Sequence, residues 1–167
     1  VFSGADGSVL YTASGTPGSR MGESVTGLGD VNGDGFDDFA CGAPNHVVFP
    51  QQLVLGSLTV FSGADGSLLH ETVGQGGTFG KFVTGVGDAN ADGTPDVAVV
   101  YLDNALFSLN YHIRLYSGDD GTLIQGATHF GGGSFIVIGA VDGARDVNDD
   151  GHGDVVIGFP VTGGGVV

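Results

Sequence analysis

The chain has 167 residues, 34 of them glycine, with 41% hydrophobic and only 14% charged residues, a composition that excludes a helical bundle and fits a turn-dense β protein. Its net charge is −15, with Arg20, Lys81, Arg114 and Arg145 as the basic side chains, too few and too scattered to neutralise a nucleic-acid backbone. Its longest clear apolar stretch, Phe135 to Val141, is far short of the roughly 20 residues a membrane-spanning helix requires, and its single cysteine, Cys41, excludes an intrachain disulfide.

In chain order, Val1-Phe2-Ser3-Gly4-Ala5-Asp6-Gly7-Ser8-Val9-Leu10 places apolar pairs on either side of an Asp-Gly turn, which predicts a hairpin. The same pattern returns from Val60 to Leu69 and from Leu115 to Ile124. Ser24 to Leu28 reads as a strand. It leads into Asp30-Val31-Asn32-Gly33-Asp34-Gly35-Phe36-Asp37-Asp38, a D-x-N-x-D-G-x-x-D pattern that recurs from Asp88 to Asp96 and from Asp146 to Asp154, each start 58 residues after the last.

Oxygen side chains at positions 1, 3, 5 and 9, with glycine at position 6, are what a tight loop needs to wrap a hard cation, because Ca²⁺ takes six to eight oxygens and glycine makes the sharp turn between them. The expected side-chain ligands are Asp30, Asn32, Asp34 and Asp38; Asp88, Asn90, Asp92 and Asp96; and Asp146, Asn148, Asp150 and Asp154. Position 7 would add a backbone carbonyl from Phe36, Thr94 and His152, so those side chains are free to differ. Three Ca²⁺ per chain are expected, and part of the excess acidity is the footprint of these loops. An EF-hand needs an acid at position 12 and flanking helices. Position 12 here is Cys41, Val99 and Ile157, within apolar and β-branched runs, so the loops join strands and Cys41 reads as a small buried hydrophobe.

The two patterns recur in step and divide the chain into units 1–59, 60–114 and 115–167, each with about four strands. This period predicts an all-β fold built from β-propeller blades of four antiparallel strands, three repeats per chain. The D-x-N-x-D-G-x-x-D loops, Gly29-Asp30 and Gly87-Asp88, Phe79-Gly80 and Gly42-Ala43-Pro44 resemble the FG-GAP repeats of the integrin α-subunit propeller and its bacterial relatives, over essentially the whole chain. That resemblance implies an extracellular or cell-surface scaffold, adhesion or protein-interaction module. Departures from it are Met21-Gly22 in the first unit, Val137-Ile138 in the third, Val100-Tyr101-Leu102 and Gly158-Phe159-Pro160 in place of Gly-Ala-Pro, and Arg145 in place of the glycine before the third loop.

Val1 in place of an initiator methionine reads as a piece of a longer product. Joining Gly164-Gly165-Val166-Val167 to Val1-Phe2-Ser3-Gly4 recreates the strand seen from Gly56 to Gly63, as though one strand were cut across its middle. A partial propeller of this kind is completed by a longer chain or by self-association through open blade edges. The connections His46 to Leu55 and Leu102 to Tyr111 are less repetitive and are candidate partner-binding loops or solvent-covering hairpins.

Enzyme chemistry has no foothold. His46, His70, His112, His129 and His152 share no repeat position and no paired spacing, and neither a G-x-S-x-G nor a phosphate-binding loop is present. Ser3, Ser62 and Ser117 precede Asp-Gly turns, where a hydroxyl bonds local backbone. A lectin-like propeller that binds glycan is the alternative reading, and it would need an aromatic cluster in every unit of a chain without tryptophan. A non-catalytic accessory domain of an extracellular enzyme ranks third.

Overall fold

The computed structural model describes residues 1–103, 110–130 and 138–160. The expected features at Asn104, Phe107, Phe135 to Val137 and Gly164 to Val167 lie outside these residues. Among the described residues the regular structure is all β and antiparallel. Among them no helix is long and apolar enough to cross a membrane, which says nothing of a β-barrel.

The first sheet contains β1 (Ser24–Gly29), β2 (Asp38–Ala43), β5 (Ser57–Phe61) and β6 (Leu68–Val73), in that order. Between β2 and β5, the His46 to Leu55 connection folds into a small hairpin, β3 (Val47–Val48) and β4 (Leu53–Val54), whose tip leaves Phe49 exposed. The second sheet contains β7 (Phe82–Gly87), β8 (Asp96–Leu102), β9 (Asn110–Tyr116) and β10 (Leu123–Phe130). A two-stranded sheet of β11 (Ala140–Arg145) and β12 (Asp154–Gly158) follows.

Each four-stranded sheet therefore joins the second half of one sequence unit to the first half of the next. Its β1–β2 or β7–β8 pair flanks a D-x-N-x-D-G-x-x-D loop, and its β5–β6 or β9–β10 pair, the outer hairpin, flanks an Asp-Gly turn. That turn closes identically each time: the amide of Ser62 donates to Ser67 O and that of Gly66 to Ser62 O, while Ser117 and Gly121 repeat the pair with Thr122 and Ser117. Residues 1–11 make the same turn, with Ser3 N donating to Ser8 O and Gly7 N to Ser3 O, but only a single bridge, Phe2 to Val9, rather than the strands the sequence predicts. The reason is pairing. The later hairpins lie against β2 or β8, and the first has no such neighbour among the described residues.

The sheets stack with their first strands side by side. The Val83 amide donates to Ser24 Oγ (2.9 Å), the Gly85 amide to Thr26 Oγ1 (3.1 Å) and the Gly143 amide to Thr84 Oγ1 (2.9 Å). A Cβ on Gly143 would lie 2.0 Å from Gly85 O, so only glycine permits this approach. Between the first two sheets Leu28, Val31, Ala40, Leu58 and Val60 meet Phe79, Val83, Val97, Val99 and Tyr101. Beyond the second sheet Val100, Ile138 and Ile157 form the next core. Full burial of each valine or leucine contributes about 1.5–3 kcal/mol, so this stacking dominates over any single hydrogen bond. Cys41 is buried within β2, as expected, and its burial pushes the thiol pKa up.

The outer-facing ends differ from the repeat interior. Val25 is 65% exposed, whereas Val83, 58 residues on, is 6% exposed against the first sheet. Val147 is 72% exposed, whereas Val31 and Ala89 at the same loop position are 4% and 9% exposed.

Candidate metal loops

Each loop begins at a β-bulge, between Gly27 and Gly29, Gly85 and Gly87, and Gly143 and Arg145, which turns the chain off the end of its strand. The nine residues then fold on their own side chains. The position-5 amide (Asp34, Asp92, Asp150) donates to Oδ1 of position 1 at 3.1, 3.1 and 3.0 Å and to Oδ1 of the position-3 Asn at 2.9, 3.1 and 3.2 Å. The position-6 glycine amide donates to Oδ2 of Asp30, Asp88 and Asp146 at 2.8–2.9 Å. Asn32, Asn90 and Asn148 donate Nδ2 to Oδ2 of the position-5 Asp at 2.8–2.9 Å. The amides of Phe36, Thr94 and His152 donate to Oδ1 of that same Asp.

These bonds favour the ionised carboxylate. Asp34 and Asp92 are held below the usual carboxylate pKa first by the amides of Phe36 and Thr94 and then by the Asn side chains; for Asp150 the Asn148 amide leads and the His152 N–H follows. A depressed carboxylate pKa stabilises the fold above the unfolded value, so this contribution is lost as pH falls through the native pKa. Among the described residues no three Asp, Glu, His or Cys side chains form a preassembled cage. A carboxylate offers about four lone-pair sites, so bonds to backbone N–H groups do not exhaust it.

Position 9 has a different setting. Asp38 and Asp96 are buried, and Asp154 is half-buried. Asp38 accepts from the Val31 amide (2.8 Å) and the Gly63 amide (2.8 Å), and Asp96 from Ala89 (2.7 Å) and Gly118 (3.3 Å); Asp154 accepts from Val147 (2.8 Å). Burial nevertheless raises the Asp96 pKa, with the two amides opposing it. This carboxylate ties the loop to the Ser-Gly step of the outer hairpin in the same sheet. Sequence reading missed the tie, although the two patterns recurring in step are its signal. Ser62 Oγ accepts locally from Ala64 N, as expected, and also donates to Asp34 Oδ2 at 3.3 Å.

The third loop is anchored to the second by His152, whose Nδ1 lies 2.8 Å from Ala89 O. The loops also share left-handed backbone at position 4, where Gly33, Ala91 and Asp149 have φ of 76°, 61° and 61°, and just before position 1, where Gly29, Gly87 and Arg145 have φ of 99°, 77° and 54°. Glycine takes this conformation without penalty, whereas a Cβ costs about 1 kcal/mol or more. Ala91→Gly and Arg145→Gly are each expected to gain about 0.5–1 kcal/mol, read as a rise of about 2 °C in melting temperature. A fall in either variant would show that the side chain outweighs its backbone strain.

Residues 21–60, which hold the first loop with β1, β2 and most of β5, match the FG-GAP repeat family. The chain carries an FG-GAP repeat. Its similarity to integrin α subunits extends further: 29% identity over 160 residues with integrin alpha-4 of Xenopus laevis, covering 90% of this chain and 15% of that protein. Integrin alpha-M of Mus musculus is 35% identical over 101 residues, covering 54% of this chain and 8% of its own length, and integrin alpha-E of the same species is 34% identical over 112 residues, covering 59% and 10%. The chain thus spans a small fraction of these relatives. The FG-GAP match contains the Met21-Gly22 variant of the Phe-Gly step as well as Gly42-Ala43-Pro44.

Proposed function

We propose that the chain is a calcium-stapled run of three FG-GAP blades, part of a β-propeller at the cell surface or outside the cell, that engages a protein partner without turning over a substrate. The reading rests on one observation above all: three loops of different sequence fold on the same hydrogen bonds to the same Asp and Asn oxygens. The donor set is hard oxygen from Asp and Asn, the chemistry Ca²⁺ prefers. Asp30, Asn32, Asp34 and Asp38 would hold the first ion with the Phe36 carbonyl, Asp88 to Asp96 the second with that of Thr94, and Asp146 to Asp154 the third with that of His152. The ion would supply the positive charge that lets these carboxylates sit together.

The integrin α relatives support a surface interaction module, and two features say where partners would meet it. The β3–β4 hairpin presents Phe49, Leu53 and Val54 to solvent. The exposed Val25 and Val147 occupy positions that are buried between neighbouring sheets elsewhere in the chain, which favours a further blade at each end, from a longer chain or a second copy.

Calorimetric titration is expected to give three Ca²⁺ per chain. With free Ca²⁺ about tenfold above Kd, each site contributes about 1.4 kcal/mol, and chelation is expected to lower the melting temperature by about 10 °C. Asp92→Ala is expected to remove one of the three sites. Absence of binding heat together with a melting temperature indifferent to chelator would refute the calcium reading. Replacing Val47 to Val54 with a short Gly-Ser turn is expected to leave the Ca²⁺ stoichiometry unchanged while weakening partner association.

A further inference from the structure

The second repeat closes its sheet interface with rings. Phe79 is buried and meets Tyr101 edge-on at 5.3 Å and Tyr116 at 6.0 Å, while His112, opposite Tyr101 in the β8–β9 register, stacks on it at 4.8 Å. In the first repeat the matching residues are Met21 for Phe79, Ala43 for Tyr101 and, opposite Ala43 in the β2–β5 register, Ser57 for His112. Phe61 alone stays aromatic. Losing three rings on the face of the first sheet that no other sheet covers among the described residues leaves a half-open cavity of about 210 Å³, bordered by Met21, Ala43, Ser57, Phe61, Leu68 and Glu71.

Two polar features mark this cavity as more than a packing defect. Ser57 is fully buried, and its hydroxyl has no hydrogen-bond partner among the described residues, a state that costs stability unless something supplies one. On the same wall, His46 Nδ1 lies 3.3 Å from Glu71 Oε1. We propose that the cavity binds a phenolic ring. The ring takes the place that Phe79 fills in the second repeat, against Met21, Ala43, Phe61 and Leu68, and its hydroxyl bonds Ser57, with the His46–Glu71 pair as the second polar contact. No loop carboxylate lines the cavity, so the site stands independently of cation binding.

Amide NMR titration of the chain with phenol and with toluene tests this. Phenol is expected to give saturable shifts at Ala43, His46, Ser57 and Glu71, with toluene binding about fivefold to tenfold more weakly for lack of the hydroxyl bond. Ser57→Ala is expected to erase that preference while both ligands still bind. Met21→Phe, which restores the ring of the second repeat, is expected to weaken both at least about tenfold without lowering the melting temperature; Ala43→Leu fills the same space should that variant misfold. N-acetyltyrosinamide separates the sources. Binding comparable to phenol assigns the site to a tyrosine side chain of a partner, and exclusion assigns it to a free phenol. Absence of saturable shifts, a phenol preference that survives Ser57→Ala, or undiminished binding in both filled variants would overturn the proposal.

Discussion

Asp96→Ala is expected to cost about 3–5 kcal/mol, measured by urea unfolding. The change strips the acceptor from two amides, Ala89 at 2.7 Å and Gly118 at 3.3 Å, at a fully buried position. Each amide left unpaired out of water costs about 1–3 kcal/mol, and the loop loses its hydrogen bond to the outer hairpin. Asp96→Asn keeps one oxygen and is expected to cost about half as much. Titration gives a second signature. Burial raises the Asp96 pKa above the unfolded value, so the native state favours its protonated form, and its contribution falls as pH rises through the raised pKa. Asp34, Asp92 and Asp150 have the opposite sign. An Asp96→Ala protein as stable as the parent would show that the tie carries no weight.

Gly118→Ala is expected to destabilise by about 3 kcal/mol or more. A Cβ there would sit 2.0 Å from Pro95 O, and at Gly63 the same addition would sit 1.8 Å from Asp37 O; in both cases the obstacle is backbone and cannot rotate away. The chain supplies its own control. Gly4 holds the same place in the first Ser-Gly step and has nothing within 4 Å of an added Cβ, so Gly4→Ala is expected to stay within about 0.5 kcal/mol. Equal effects at Gly4 and Gly118 would mean that backbone flexibility, not the close approach, explains this glycine.

What could be read before folding was local. A nine-residue loop declares itself through the spacing of its own oxygens and glycines, and Val60 to Leu69 declares a hairpin through its Asp-Gly turn, so both kinds of element, and an all-β class, followed from short windows of sequence. Sheet membership is not local. A 58-residue period looks the same wherever it is cut, and nothing between Asp38 and Phe61 says that β2 reaches across the β3–β4 hairpin to pair with β5. Nor does the spelling of Ser62-Gly63 say that its amide is claimed by Asp38, 25 residues earlier. The Phe79 socket depends on residues from two strands and a connection, so its emptier version at Met21 became visible only when those elements were brought together. Arg145 was legible as a departure, but its φ of 54° shows that the loop keeps its conformation at the expense of the residue.

The stacking of the sheets is directional. Hydroxyls of one sheet meet the backbone of the next: Ser24 Oγ accepts from the Val83 amide and donates to Val83 O, Thr26 Oγ1 accepts from the Gly85 amide and Thr84 Oγ1 from the Gly143 amide, while Tyr11 Oη donates forward to Gly63 O and His70 Nε2 lies 2.8 Å from Gly118 O. The leading and trailing faces of this array are therefore different surfaces, each shaped for the other and neither for itself. Any assembly that extends the array joins unlike faces, a heterologous contact with no twofold axis through it. Pairing of one face with its own copy is foreign to such a geometry. The rotation from one sheet to the next alone decides between a ring that closes and a filament that grows.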